Sequence, residues 1–360
     1  MQHRKGKNSS WIIVLFLVLN SSIGYAQLGG GSAFAMLELP SNARIAGIGG
    51  QHYTIRAQDP SLFLSNPALL SDTSKNYFGF QYGAMPSQVN YLNASFNTTY
   101  KKLPIGFAVR RVAYGTMDAY DDGGNPTGTF APSDYAITAG TAYQTGPIRL
   151  GANLHFLGSN IEQYSANAIA FDLGALFIHP KRDFTIGITA RNTGFALSNY
   201  TSNSTLRLPF NLGFGMTYKL EHMPLRFSLT SHNWQRFDIT YLDPNKIGEL
   251  DASGNEVKEQ KTFFDNFARH FVIGGEFLLG KSLNLRVGYN HLINRELKLE
   301  DRARRAGWSY GFMIKIKGLD IAYSRAIYSV AGGTNFVGVN MALNRLFKKT
   351  VTTPKQTINS

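Results

Sequence analysis

The sequence predicts an all-β chain, a fourteen-stranded antiparallel transmembrane β-barrel whose lumen holds an N-terminal plug. Three observations lead there. Apolar residues alternate with small or polar ones over stretches of about ten residues, as in "PFNLGFGMTYKL" and "LNLRVGY", and about 9 to 11 residues is what a tilted strand needs to cross a bilayer. Charged residues are only 16% of the chain, against about 25% in soluble domains. The connections between the alternating stretches are short on one side and mostly long on the other, the division that outer-membrane barrels make between their two rims.

Taken in order, residues 1–26 read as a secretory signal peptide. Arg4, Lys5 and Lys7 precede the apolar run "WIIVLFLVL", and small residues end it at Ala26. Residues 27–75 are glycine-rich and do not alternate. Asp59 and Pro60 are placed to open a short helix, and Asn66 with Pro67 to stop that turn and start another. The segment is expected to sit in the lumen as a plug, with an extra edge strand over 45–57 as the alternative.

The barrel is expected over 76–344, with strands at 76–84, 89–100, 104–113, 135–144, 148–157, 168–178, 184–193, 210–219, 225–234, 269–279, 283–292, 308–317, 319–328 and 335–344. Short turns fall at 101–103, 145–147, 179–183, 220–224, 280–282 and Gly318; the longest loop runs from Gln235 to Ala268. Both termini then lie on the periplasmic side, and 345–360 is a polar tail. Tyr135, Tyr143, Phe210, Tyr218 and Trp308 sit near strand ends, where aromatic girdles meet the two membrane surfaces.

What covers the apolar faces follows from the missing charges. A soluble sandwich turns its polar faces to water and loads them with Lys and Glu. A membrane barrel turns the apolar face to lipid and lines its lumen with Gly, Ser, Thr and Asn. Zero cysteines exclude a disulfide framework, so stability rests on sheet pairing. The formal charge of +13 falls to +10 once the three signal-peptide cations are removed. The cations that remain are scattered rather than clustered on one face, which argues against nucleic acid as a partner.

Two further stretches are distinctive. "LELPSNARIAGIGG" (37–50) with "DPSLFLSNPALL" (59–70), and the long middle run through 128–143, 164–195 and 208–241, resemble the PorV/PorQ group of FadL-like barrels, outer-membrane components of the type IX secretion system. The resemblance implies a fourteen-stranded barrel and a role in that system's surface attachment complex. It implies partners: a PorZ-like surface protein anchored by the barrel, PorU and PorV-like members, and the anionic lipopolysaccharide to which cargo is joined. Other FadL-like barrels pass hydrophobic solutes, and that is the alternative function. The predicted inward faces are mostly polar and show neither a gap in the wall nor an apolar pocket.

No catalytic constellation and no cofactor motif emerges. "LGGGS" lacks the Lys-Ser/Thr of a phosphate loop, and the Asp/Gly turns at 121 and 251 lack the closing Glu of a calcium loop. The histidines lie without metal-ligand spacing, so neither an enzyme nor a metal site is expected. Two groups of residues invite function. Arg149, Arg191, Arg226 and Arg286 fall on lumen-facing positions, either as an attractor for an anionic glycolipid or as a structural ladder. Trp234, Phe237, Tyr241, Phe263, Phe264 and Phe267 crowd the longest loop, as a docking face for a surface partner together with 114–134, or as a self-packed cap over the barrel mouth.

Overall fold

The computed structural model describes residues 33–240, 249–250, 256–257, 262–297, 306–329 and 332–346. The signal-peptide reading of 1–26, residues 27–32 of the N-terminal segment, Tyr241 and positions 347–360 of the tail lie outside the described residues.

Fourteen strands form a closed antiparallel barrel. They are β1 (Tyr77–Ala84), β2 (Asn90–Tyr100), β3 (Leu103–Ala113), β4 (Ser133–Thr145), β5 (Ile148–Ile161), β6 (Tyr164–Ile178), β7 (Phe184–Ser198), β8 (Asn211–Lys219), β9 (Leu225–Ser231), β10 (Phe271–Leu279), β11 (Leu283–Asn290), β12 (Trp308–Ile316), β13 (Leu319–Ser329) and β14 (Gly332–Ala342). Each pairs with the next, and β14 closes onto β1 with Tyr77 opposite Ala342 and Ala84 opposite Asn335. Closure leaves no edge with unpaired backbone groups, the condition for a sheet to stand in hydrocarbon.

Burial is the inverse of a water-soluble sandwich. Along β8, Phe214 and Met216 point outward and are exposed while Gly213, Gly215 and Thr217 are buried. Outward Leu173 is 63% exposed, whereas inward Asn93, Thr138 and Asn153 are buried. Two-residue turns close several hairpins. Lys101 and Lys102 both take positive φ (46° and 70°), as do Lys317 and Gly318, the backbone that matches strand twist in a tight hairpin.

The expected spans hold in number and order, with four local departures. Strands β5, β6 and β7 are 14, 15 and 15 residues long, so stretches read as loop at 158–161, 164–167 and 194–198 continue the ladder beyond bilayer length. Strand β9 stops at Ser231 rather than 234, and β10 starts at Phe271 rather than 269, because His232 and His270 belong to a loop whose helix α2 (Phe263–Arg269) occupies the place. Loop 114–134 carries a small hairpin, Met117–Tyr120 with Pro126–Phe130. Beyond Ala342 the backbone turns into one helical turn, Leu343–Leu346, rather than continuing the strand to 344.

The N-terminal segment is irregular apart from helix α1 (Ala43–Gly47) and four 3₁₀ turns, and no strand forms over 45–57. The turn opened by Asp59 and Pro60 is 3₁₀, Leu62–Leu64, with Asp59 Oδ1 accepting from Ser61 N at 3.0 Å and Ser61 Oγ at 2.6 Å. Asn66 Oδ1 accepts from Ala68 N at 2.9 Å, with Pro67 opening the next turn, Pro67–Leu69.

Candidate functional site

The segment 33–76 lies against the inward face of the wall around most of its circumference. Asn93 Nδ2 on β2 donates to Ser41 O (2.7 Å), Asn153 Nδ2 on β5 to Phe63 O (2.9 Å), Thr185 Oγ1 on β7 to Thr54 O (2.9 Å) and Asn290 Nδ2 on β11 to Gly49 O (3.1 Å). These bonds explain why inward positions favour Asn, Ser and Thr. An irregular buried backbone has no ladder of its own, so the wall must supply its partners. Inward glycines complete the fit. A methyl group on Gly151 would overlap the backbone of Pro67, on Gly174 the amide of Asn66, and on Gly288 the backbone of Ile48 and Gly49. The glycine excess of the sequence is thus largely clearance for the plug.

Charges in the lumen are grouped around few acids. Glu276 on β10 meets Arg226 Nη1 at 3.0 Å, Arg286 Nε at 2.9 Å and, from the plug, Arg44 Nε at 3.2 Å. Arg191 donates to Gln51 Oε1 (3.0 Å) and lies over the Tyr53 ring, 5.1 Å from its centroid. Arg149 bonds Gln144 Oε1. Of the four lumen arginines singled out in the sequence, therefore, Arg226 and Arg286 come together on one carboxylate. Arg149 and Arg191 stand apart on neutral acceptors.

A buried relay escaped sequence reasoning. Thr138 Oγ1 lies 2.8 Å from His155 Nδ1, and His155 Nε2 lies 2.7 Å from Asp172 Oδ2. Asp172 also accepts from Asn192 N at 2.8 Å and Asn153 Nδ2 at 3.1 Å. The ladder between β6 and β7 slips here, so that both Arg191 and Asn192 oppose Asp172, a bulge that aims Asn192 N inward. All three relay side chains are about 1% exposed, so the hydroxyl–imidazole–carboxylate line is a brace across three strands with no access for a substrate. Thr138 and His155 face each other directly across β4 and β5. The signal was three inward polar residues at 17-residue spacing, legible only once register is known.

Two regions of the lumen bear on ligand binding, one packed shut and one open. Toward the long-loop rim the lumen is apolar: Tyr91, Val112, Ala136, Leu157, Ala168 and Phe336 pack with Phe34, Met36 and Leu37 of the plug. The expectation of mostly polar inward faces holds for the strands, and this packed cluster is the exception to it. At the short-turn rim a cavity of about 690 Å³ is lined by Arg56, Ile178, His179, Lys181, Arg182 and Arg226, among others, with Asp183 as its acid. The described residues hold no cluster of three potential metal ligands.

The aromatic residues of the longest loop do assemble, apart from Tyr241, which lies outside the described residues. Trp234 stacks on His270 (5.1 Å) and meets Phe214, Phe267 and Phe271 edge-on; Phe237 contacts Phe263 and His270. Asp265 anchors this loop, bonded by Arg269 at 2.7 Å and Arg295 at 2.8 Å. Partial burial pushes its carboxyl up, but the Arg269 bond and the two nearby guanidiniums outweigh that and hold it below the usual range.

No family model matches the sequence, and no curated protein matches it. Solved structures do. The toluene transporter TbuX of Ralstonia pickettii aligns over 85% of this chain and 97% of its own, at 12% identity and a TM-score of 0.50. A deltaS2 mutant of the TodX monoaromatic hydrocarbon channel aligns over 84% and 97%, at 11% identity and a TM-score of 0.51. The chain shares the barrel fold of these two proteins. At such identities the likeness is one of backbone architecture alone.

Proposed function

We propose that this FadL-like barrel is an integral outer-membrane protein that admits small hydrophobic solutes, with its short-turn rim and both termini on the periplasmic side. The observation that carries the reading is the apolar upper lumen, where Tyr91, Leu157 and Phe336 meet plug residues Phe34 and Met36. A wall meant only to hold water would have no use for that surface, since apolar groups gain nothing by facing an aqueous lumen. TbuX is described as a toluene transporter and TodX as a monoaromatic hydrocarbon channel; the shared architecture supports the same class of cargo. A solute entering past the long loops would have to displace the plug to reach these buried side chains.

A second reading rests on the sequence itself: a PorQ-like anchor in the type IX attachment complex, holding a PorZ-like surface protein beside PorU and PorV-like members. The plug's bonds to strands around the barrel favour it, because a sealed lumen suits a platform. Here the lumen arginines would serve the structural ladder, or attract anionic lipopolysaccharide, and the loops 114–134 and 235–268 would face the partner.

One experiment separates the two. The full chain, tagged at its C-terminal tail, is extracted from native outer membranes in mild detergent, and everything bound is identified. A solitary barrel carrying an apolar molecule, lost in a Phe336→Arg variant, supports the channel. One large surface protein in fixed ratio, with no apolar molecule bound, overturns it in favour of the anchor.

A further inference from the structure

The aromatic cluster of the longest loop is continuous with the lipid-facing surface, and that continuity indicates its occupant. Phe214 on β8 and Phe271 on β10 are outward residues, both in register with Ser231, the last residue of β9. The wall is lowest here: β9 has 7 residues, β10 has 9 and β11 has 8. From Phe214 and Phe271 the rings run without interruption through Trp234 (6.0 and 6.5 Å) and Phe267 (4.9 Å from Phe271) to Phe263 (6.1 Å).

Helix α2 is two-faced. Phe263, Phe264 and Phe267 are exposed, Phe264 by 82% and Phe263 by 64%, while Asn266 and Arg269 are buried. The buried face is tied down: Ile239 N and Thr240 Oγ1 donate to Asn266 Oδ1 at 3.2 and 3.3 Å, and Arg269 pairs with Asp265. A self-packed cap would turn its rings inward and its polar residues to water, and this helix does the reverse. A protein-docking face on the loop would stand clear of the bilayer, and this one merges with the belt of outward rings.

We infer that helix α2, with Trp234 and Phe237, is a foot seated in the outer leaflet at the membrane surface, its partner being lipid acyl chains and headgroups. A short helix whose exposed face is phenylalanine beds that face at the boundary of headgroups and acyl chains, and the low wall on this flank lets a loop helix reach it. The helix so held is fixed to one side of the mouth.

The test uses the absence of cysteine from the chain. The full-length barrel carrying Phe264→Cys is spin-labelled and placed in phospholipid vesicles. Collision rates with oxygen, which partitions into lipid, and with a water-soluble nickel chelate are compared with two controls: Leu173→Cys on the lipid face and Asp121→Cys on an exposed turn. The inference expects an oxygen-to-nickel ratio at position 264 several-fold above that at 121 and approaching that at 173. A ratio equal to that at 121 overturns it. A label shielded from both reagents by a co-purifying protein overturns it as well, in favour of a protein partner.

Discussion

At the scale of single residues, Glu276 carries the most weight. Its carboxylate is 2% exposed and pairs with three guanidiniums, accepting hydrogen bonds from two on the wall and facing Arg44 of the plug at ion-pair distance. Removing its charge leaves those cations facing one another in a medium that screens poorly. Breaking a buried pair by deleting one partner costs about 3–5 kcal/mol. Glu276→Gln is therefore expected to lower the urea midpoint of the purified barrel substantially, and adding Arg44→Met to recover part of the loss, because the two sites are coupled. An unchanged midpoint for the single variant would show that the cluster contributes little. The inward glycines act at the same scale with opposite means. Gly151 matters for what it lacks, since Pro67 occupies the room a side chain would take.

At the scale of elements, the loop helix α2 depends on one acid. Asp265 is bonded by Arg269 and Arg295 and lies 3.4 Å from His291 Nε2. Its folded carboxyl titrates below the unfolded value of about 3.9. The sign follows: its contribution is fully present above that unfolded value and is lost as pH falls through the lower, folded one. Amide exchange across 262–297, corrected for intrinsic rates, should thus show steady protection from pH 6 down to about 4 and a loss below it. Protection that does not change with pH would remove Asp265 from that role. Elements were also where the sequence was most readable. Alternation placed all fourteen strands, because one side of each meets lipid and the other does not. Alternation marked the end of β9 poorly, since after Leu225, Phe227 and Leu229 the outward parity passes to Ser231 and Asn233 while Trp234 falls on the inward parity, and the backbone leaves the ladder after Ser231. The plug gave up its Asp59 and Asn66 caps, whose chemistry is local. Its route through the lumen depends on contacts some 260 residues apart in sequence, such as Gly49 N to Ser309 Oγ, and no local pattern encodes those.

At the scale of the whole molecule, the decisive property is that the outside is apolar and the inside is polar and packed. Leu173 stands mid-strand on the lipid face. An arginine there would sit in hydrocarbon, at a cost of about 2–4 kcal/mol near the midplane. Leu173→Arg should reduce the stability of the barrel in vesicles by that order; a change within error would mean that this face does not meet lipid. The lumen taught the converse lesson. Its polar character was legible strand by strand, yet its apolar upper patch was not, because Tyr91, Leu157 and Phe336 come from β2, β5 and β14 and become neighbours only after closure.

The plug also fixes an order of assembly. It is made before every strand, and its partners are spread from Gln81 on β1 to Tyr328 on β13. The ring that encloses it shuts only when β14, the last strand, reaches β1. A finished cylinder would have to unzip to take in a segment tied to so many of its staves. The N-terminal segment must instead be held near the growing sheet while the sheet curls round it, so that encirclement and closure become a single late event. Contacts this far apart in sequence make for slow folding.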